Sequence, residues 1–146
     1  RDNARTPVQW DASPNAGFTD GTPWINVNPN YERINAEAVF KDEDSIFHFY
    51  KKLIQLRKQN EVIVYGTFDL IMEEDEQIFA FTRTLGDDQL LVICNFSEET
   101  PDFKLPVHVR YSSKELLISN LNADENEEIE NLPLKPYEAR VYRLKK

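Results

Sequence analysis

Hydrophobic spacing predicts one amphipathic helix in the first half of the chain. The segment DEDSIFHFYKKLIQLRKQN, residues 42–60, repeats apolar side chains every three or four positions. They are Ile46, Phe47, Phe49 or Tyr50, Leu53, Ile54 and Leu56. Acidic residues come first and basic residues last, which suits the dipole of a helix. The width of the apolar stripe indicates that the helix is buried on at least one side.

After Asn60 the pattern changes to short β-branched and aromatic runs. These runs are EVIVYGTFDLIM, QIFAFTRTL, QLLVICNF, KELLIS and YEARVYRL, and acidic or polar turns separate them. QLLVICNF is apolar at consecutive positions, which is typical of a central strand. Strands at regular spacing without intervening helices predict an antiparallel sandwich or barrel. We therefore expect an α+β, mainly β fold, divided into residues 1–60 and an antiparallel β domain at residues 61–146.

Residues 1–35 predict an irregular segment. Asn, Pro, Asp and Gly dominate SPNAGF, DGTPW and NVNPNYE, and these residues favour turns. The large apolar side chains in this segment are Trp10, Phe18, Trp24, Ile25 and Tyr31. A loop of this length indicates a functional loop or surroundings that lie outside the chain. We expect the chain to be part of a larger protein.

Charge and composition limit the classes of partner. The formal net charge is −9, and the whole excess lies in residues 61–146. This argues against nucleic acid and anionic membranes, which bind basic surfaces. No apolar run is long enough to predict a membrane span. The single cysteine, Cys94, lies in an apolar run, so we expect it to be a small buried hydrophobe. A chain with one cysteine has no internal disulfide, which favours a reducing compartment and a cytoplasmic location.

Motifs for metal binding and modification are weak. His48 and His108 lie in different predicted elements and have no ligand at metal-binding spacing. The segment DENEEIE lacks the turn glycine of a calcium loop, so it predicts a solvated turn. Asn95-Phe96-Ser97 matches the N-glycosylation pattern but ends a predicted core strand. We predict no metal and no cofactor.

The opening segment carries the candidate chemistry. Asp2 and Asp11 could form a carboxylate pair of the kind that cleaves glycosides. Because Arg1 and Arg5 stand beside them, a loop of turn caps and ion pairs is the simpler interpretation. The functional alternative is polar recognition, since arginine donors beside aromatic faces suit sugars and phosphates.

The combined motifs resemble a known family over essentially the whole chain. RDNARTPVQWD is followed by NAGFT, by PWI and VNPNY, by DSIFHFYKKLIQLRK, and then by VYGTFDLI, IFAFTRT, LLVICNF and PYEARVYRLK. This series resembles the C-terminal third of bacterial α-glucosidases of the α-amylase superfamily, of the oligo-1,6-glucosidase type. Dextran glucosidase and trehalose-6-phosphate hydrolase share most of these motifs and remain alternatives.

The resemblance implies an architecture. Residues 1–60 would be the last segment of a (β/α)8 barrel, with a loop over the active-site side and the final barrel helix. Residues 61–146 would be an antiparallel β-sandwich that stabilises the barrel. The resemblance also implies retaining hydrolysis of α-1,6 glucosidic bonds at the non-reducing ends of short oligosaccharides, with α-1,4 bonds left open.

The resemblance also assigns residues. The family's nucleophile, acid/base and second aspartate would precede Arg1, so we expect no catalytic residue and no hydrolase activity in this chain alone. Arg5 best matches an arginine that holds the non-reducing-end glucose, and Arg1 is the second choice. Val8 replaces the methionine often found in this loop.

Two further expectations concern partners. The barrel and a small oligosaccharide would be the partners in the parent enzyme, and an uncovered helix face would make the isolated chain self-associate. A stand-alone carbohydrate-binding β-sandwich module is the alternative from another functional class. It would need an exposed aromatic platform on the strands.

Overall fold

The computed structural model describes residues 2–146, which form two compact units. The first unit runs to Ile54 and the second from Gln55 to Lys146. Three 3-10 turns, at Asp2–Ala4, Pro14–Gly17 and Pro29–Glu32, precede helix α1 (Ala36–Lys41) and helix α2 (Ile46–Gln59). The other elements are α3 (Glu61–Tyr65), β1 (Thr67–Ile71), β2 (Ile78–Leu85), β3 (Asp88–Asn95), β4 (Asp102–Lys104), β5 (Ser113–Ser119), β6 (Asn131–Pro133) and β7 (Ala139–Lys145).

Helix α2 confirms the amphipathic helix, and its apolar stripe is uncovered. None of its residues is buried, and Ile46 and Tyr50 are 84% and 64% exposed. Trp24 of the opening segment is 86% exposed. Among residues 2–146, no helix is long and apolar enough to cross a membrane.

Helix α3 corrects the prediction of a strand over the whole run EVIVYGTFDLIM. Its first half is helical, and β1 begins only at Thr67. Val62 is 2% exposed, and its carbonyl accepts the Gly66 N–H at 3.1 Å. A Cβ on Gly66 would lie 2.5 Å from that carbonyl oxygen, so glycine permits the close approach that ends the helix. Tertiary packing of Val62 thus overrides the strand preference of the β-branched run.

The main sheet confirms the antiparallel β region. Its five strands lie in the order β1-β2-β3-β7-β5, and every neighbouring pair is antiparallel. The run QLLVICNF forms the central strand β3, as its pattern predicted. A two-residue loop joins β2 to β3, and Gly86 there has φ of +59°, a conformation that suits glycine.

A second, smaller sheet pairs β4 with β6. Its strands have three residues each, which is too short for a sequence pattern to reveal. Both sheets contribute to one apolar core, because Phe103 and Leu132 of the small sheet cluster with Leu91 and Tyr142 of the large one. The mainly antiparallel β fold with a few helices is therefore confirmed.

Candidate functional site

The opening segment is fastened to the N-terminus of α1 through its backbone. The first N–H groups of a helix have no partner within the helix and need acceptors from elsewhere. The Gln9 carbonyl accepts the Ala36 N–H at 2.8 Å, and the Trp10 carbonyl accepts the Glu37 N–H at 2.9 Å. The Asn35 side chain accepts the Ala38 N–H at 2.8 Å, as an N-cap residue does. Residues 9 and 10 therefore complete the helix cap.

The Gln9 side chain holds the same segment to a second loop. Its amide nitrogen donates to Asn30 Oδ1 at 2.9 Å and to the Ile34 carbonyl at 2.6 Å. Asn35 is buried, and its own amide nitrogen donates to the Tyr31 carbonyl at 2.8 Å. The sequence does not reveal the role of these side chains, because nothing in the spacing of Gln9, Asn30 and Asn35 distinguishes them from solvated loop residues.

A left-handed turn follows this anchor. Asn15, Ala16 and Gly17 have φ values of 57°, 58° and 64°, although non-glycine residues disfavour this region. The buried Ala16 offers its carbonyl to the Trp10 N–H at 2.9 Å. The Asn15 amide nitrogen donates to the carbonyls of Thr19 and Gly21, at 3.1 and 3.0 Å. These bonds hold the strained turn against the anchored segment.

Asp11 is a turn-forming residue in this structure. Its carboxylate accepts hydrogen bonds from the Ser13 hydroxyl and the Ser13 N–H, and these bonds lower the pKa of Asp11. A Cβ on Gly17 would lie 2.6 Å from the same carboxylate. A general acid needs a raised pKa. Asp11 is therefore suited to holding the turn and unsuited to proton donation.

Arg5, the predicted substrate-binding residue, is exposed at the end of the first 3-10 turn. Its N–H donates to the Asp2 carbonyl at 2.9 Å, which closes that turn. Pro7 stands between Arg5 and the anchored Gln9 and restricts the backbone of this short connection. The alternative candidate, Arg1, lies outside the described residues, so its assignment stays a prediction.

The weaker sequence motifs have structural explanations. Asn95 is buried, and its amide nitrogen donates to the carbonyls of Glu99 and Lys135 at 2.8 and 2.9 Å, so the glycosylation pattern falls on a residue of the core. Cys94 is half-buried, and burial raises the pKa of its thiol. Within residues 2–146, no group of three or more His, Cys, Asp or Glu residues could hold a metal ion.

The main sheet carries a row of aromatic rings on the face opposite the core. Phe79 and Phe81 alternate along β2 with the core residues Ile78 and Ala80, and the rings of Phe79 and Phe81 lie 5.7 Å apart. The row continues to Phe68 at 5.1 Å from Phe81, and to Phe96 at 6.3 Å from Phe79. Phe68, Phe79 and Phe96 are 54%, 43% and 69% exposed. The sheet therefore carries exposed apolar side chains around β1 and β2 on the face opposite the core.

Comparisons with known proteins agree with this geometry. Residues 1–66 match the family model described as "Alpha amylase, catalytic domain", and residues 78–141 match "Alpha-amylase SusG C-terminal domain". An oligo-1,6-glucosidase of Parageobacillus thermoglucosidasius is 63% identical over 145 residues, which are 99% of this chain and 26% of that relative.

Solved structures give the same result. Trehalose-6-phosphate hydrolase of Bacillus licheniformis matches with a TM-score of 0.92 at 46% identity, over 99% of this chain and 26% of that one. Isomaltulose synthase of Klebsiella sp. LX3 matches with a TM-score of 0.89 at 41% identity, with the same coverage. The chain thus spans about a quarter of the length of these proteins. The predicted resemblance is confirmed, and the chain belongs to the α-amylase family.

Proposed function

We propose that the chain is the C-terminal part of a retaining α-glucosidase of the oligo-1,6-glucosidase type. The observation that carries this proposal is the identity to an oligo-1,6-glucosidase along nearly the whole chain, which is higher than the identity to trehalose-6-phosphate hydrolase. The parent protein would cleave α-1,6 bonds at the non-reducing ends of short oligosaccharides. Trehalose-6-phosphate hydrolase and dextran glucosidase activities are the alternatives.

In this proposal residues 1–60 complete a catalytic (β/α)8 barrel and residues 61–146 form a β-sandwich beside it. The family match of residues 1–66 to a catalytic domain supports the first part. The match of residues 78–141 to a C-terminal domain supports the second. The nucleophile and the acid/base would come from the rest of the barrel, since Asp11 is engaged in a turn.

Arg5 would donate hydrogen bonds to hydroxyl groups of the non-reducing-end glucose. Its guanidinium carries five donors in a fixed planar arrangement, which suits neighbouring sugar oxygens. Its exposure supports this role, because the side chain is accessible to a ligand. Such a contact is far from the scissile bond, so it would add affinity and orientation without taking part in bond cleavage.

The uncovered apolar surfaces would pack against the part of the barrel that the rest of the parent protein supplies. Exposed apolar surface of this extent marks an interaction site. The stripe on α2 and the aromatic row on the main sheet both meet this description, and each would be buried in the parent protein. The β domain would then stabilise the catalytic domain. A cytoplasmic location is also part of the proposal, and assay of separated cell fractions tests it.

The test is hydrolysis by the purified parent protein and by the isolated chain. We expect the parent to cleave isomaltose and to release glucose first as the α-anomer, because two displacements retain the configuration. We expect no cleavage by the isolated chain, since it would lack the nucleophile and the acid/base. A parent that cleaves trehalose 6-phosphate and leaves isomaltose intact would overturn the bond specificity.

The aromatic row on the main sheet favours one second candidate, a carbohydrate-binding module. Exposed aromatic rings can stack on sugar faces, and Phe68, Phe79 and Phe96 are accessible in the chain. Passage of the isolated chain over immobilised dextran separates the two proposals. If the column retains the chain and Phe79→Ala abolishes this retention, the result would support the carbohydrate-binding module. Unretarded passage of the chain agrees with an aromatic row that packs against the barrel.

A further inference from the structure

We infer that Gln9 is a positioning residue for Arg5. This inference rests on the proposed function, since it concerns how the chain would hold the arginine that contacts the sugar. A flexible arginine loses conformational freedom when it binds, which reduces affinity. A loop that carries such a residue therefore needs a fixed support close by.

The anchor at Gln9 meets this need on two sides of the backbone. On the side-chain side, the Gln9 amide nitrogen donates to Asn30 Oδ1 and to the Ile34 carbonyl. On the backbone side, its carbonyl accepts the Ala36 N–H at the start of α1. A residue held through both its side chain and its main chain can neither rotate nor slide along the helix end. Gln9 is half-buried; its bond to Asn30 is partly shielded from water, whereas its bond to the Ile34 carbonyl is exposed.

The connection from the anchor to Arg5 is short and stiff. Only Thr6, Pro7 and Val8 separate the two residues. Pro7 fixes its own φ and disfavours a helical conformation at Thr6. The 3-10 turn limits the other side, because the Arg5 N–H is bonded to the Asp2 carbonyl. A displacement of the backbone at Gln9 is therefore passed to Arg5.

The donor pattern of Gln9 explains why a glutamine suits this position. Both of its neighbours, Asn30 Oδ1 and the Ile34 carbonyl oxygen, are acceptors, and a primary amide nitrogen supplies two donors. Methionine has a similar length and no donor. Gln9→Met would leave both acceptors without their protein partner and would loosen the segment without opening a large cavity.

The test is steady-state hydrolysis of isomaltose by the full parent protein carrying Gln9→Met, Arg5→Ala, or both. We expect Gln9→Met to raise KM about tenfold with kcat little changed, because the lost interaction lies far from the reacting bond. Competitive inhibition by glucose should weaken by the same factor. The double variant should lose no more than Arg5→Ala alone, since residues that act through one another are not additive. Gln59→Met, at an exposed position of α2, is the matched control and should keep the parent's constants.

The outcomes separate the inference from the proposed function. A parent that does not cleave isomaltose contradicts both. If the parent is active and Arg5→Ala weakens it, then an unchanged KM in Gln9→Met contradicts the inference alone. Losses that add in the double variant also contradict it. Should Gln9→Met yield little folded protein, Asn30→Ala is measured in the same way. It removes one of the two acceptors, so we expect a smaller rise in KM, and an unchanged KM contradicts the inference.

Discussion

Glu138 and Arg140 form an ion pair in the interior of the β region. The Glu138 side chain is fully buried and that of Arg140 is 3% exposed, and Arg140 Nε donates to Glu138 Oε1 at 2.9 Å. Glu138 also accepts the Lys135 N–H at 2.8 Å, and Arg140 donates to Glu127 at 2.7 Å. Burial alone would lower the pKa of Arg140, but these carboxylates raise it. These hydrogen bonds satisfy the buried polar atoms of both side chains.

Replacing Glu138 should destabilise this region strongly. Glu138→Gln keeps the shape of the side chain but leaves Arg140 with less compensating charge in the interior. We expect the free energy of unfolding to fall by about 3 kcal/mol, measured by urea titration of the isolated chain. Glu125→Gln, at an exposed position of the same unit, should change it little. Equal effects of the two substitutions would show that the buried pair does not stabilise the fold.

Asp88 makes the stability of the β region dependent on acid pH. Hydrogen bonds from Arg143 and then Lys145 lower the pKa of Asp88 from 3.8 to about 2. A carboxylate with a lowered pKa stabilises the folded state above its unfolded pKa, and this contribution is lost as pH falls from about 4 to about 2. The urea midpoint should therefore decrease over that range.

Asp88→Asn should remove that part of the pH dependence. The asparagine side chain cannot ionise, so the urea midpoint of the variant should be lower at neutral pH. Below about pH 4 this midpoint should change less with pH than that of the unsubstituted chain. Asp87→Asn, at the neighbouring exposed position, is the control. Its urea midpoint should depend on pH as that of the unsubstituted chain does. High salt should reduce the difference in urea midpoint between Asp88→Asn and the unsubstituted chain, because Asp88 is partly exposed to solvent. An unchanged slope in Asp88→Asn would contradict this account.

At the scale of elements, prediction succeeded where one pattern extended over many residues. Helix α2 and strands β2, β3, β5 and β7 repeat their apolar positions often enough to fix the type of element. The five residues of α3 are too few to show such a repeat, and their β-branched side chains favour a strand although the segment is a helix. The packing of Val62 and the close approach at Gly66 decide that segment, and both depend on tertiary contacts.

The uncovered stripe on α2 should make the isolated chain self-associate. Apolar side chains that water surrounds gain free energy by burying one another. We expect sedimentation velocity to show dimers or larger species that increase with protein concentration. Tyr50→Lys should shift the chain toward monomer, because it places a charge in the exposed stripe. Val107→Lys, at a 92% exposed apolar position outside the helix, should leave the distribution unchanged. A monomer at every concentration would contradict this prediction.

For the whole molecule, the sequence indicated the family but not how the site is supported. Motif resemblance assigned a ligand role to Arg5, and that role stays a prediction. The polar contacts of the Gln9 side chain could not be predicted, because its partners Asn30 and Ile34 lie 21 and 25 positions further along the chain and meet it only after the opening segment folds onto α1. The turn role of Asp11 was foreseeable, since aspartate often bonds to the backbone two residues on.

In the proposed function, the chain forms one side of a larger sugar-binding site. In that arrangement Arg5 would contact the sugar, Gln9 would hold Arg5 in place, and the α2 stripe would pack against the remainder of the barrel. All three statements concern the parent protein, where they can be observed together.

A crystal structure of the full parent protein with bound glucose tests the central claim most directly. We expect the Arg5 guanidinium to lie within about 3.2 Å of a glucose hydroxyl, and Ile46 and Tyr50 of α2 to be buried. A glucose held entirely by other residues, with Arg5 and the α2 stripe both facing solvent, would contradict the account.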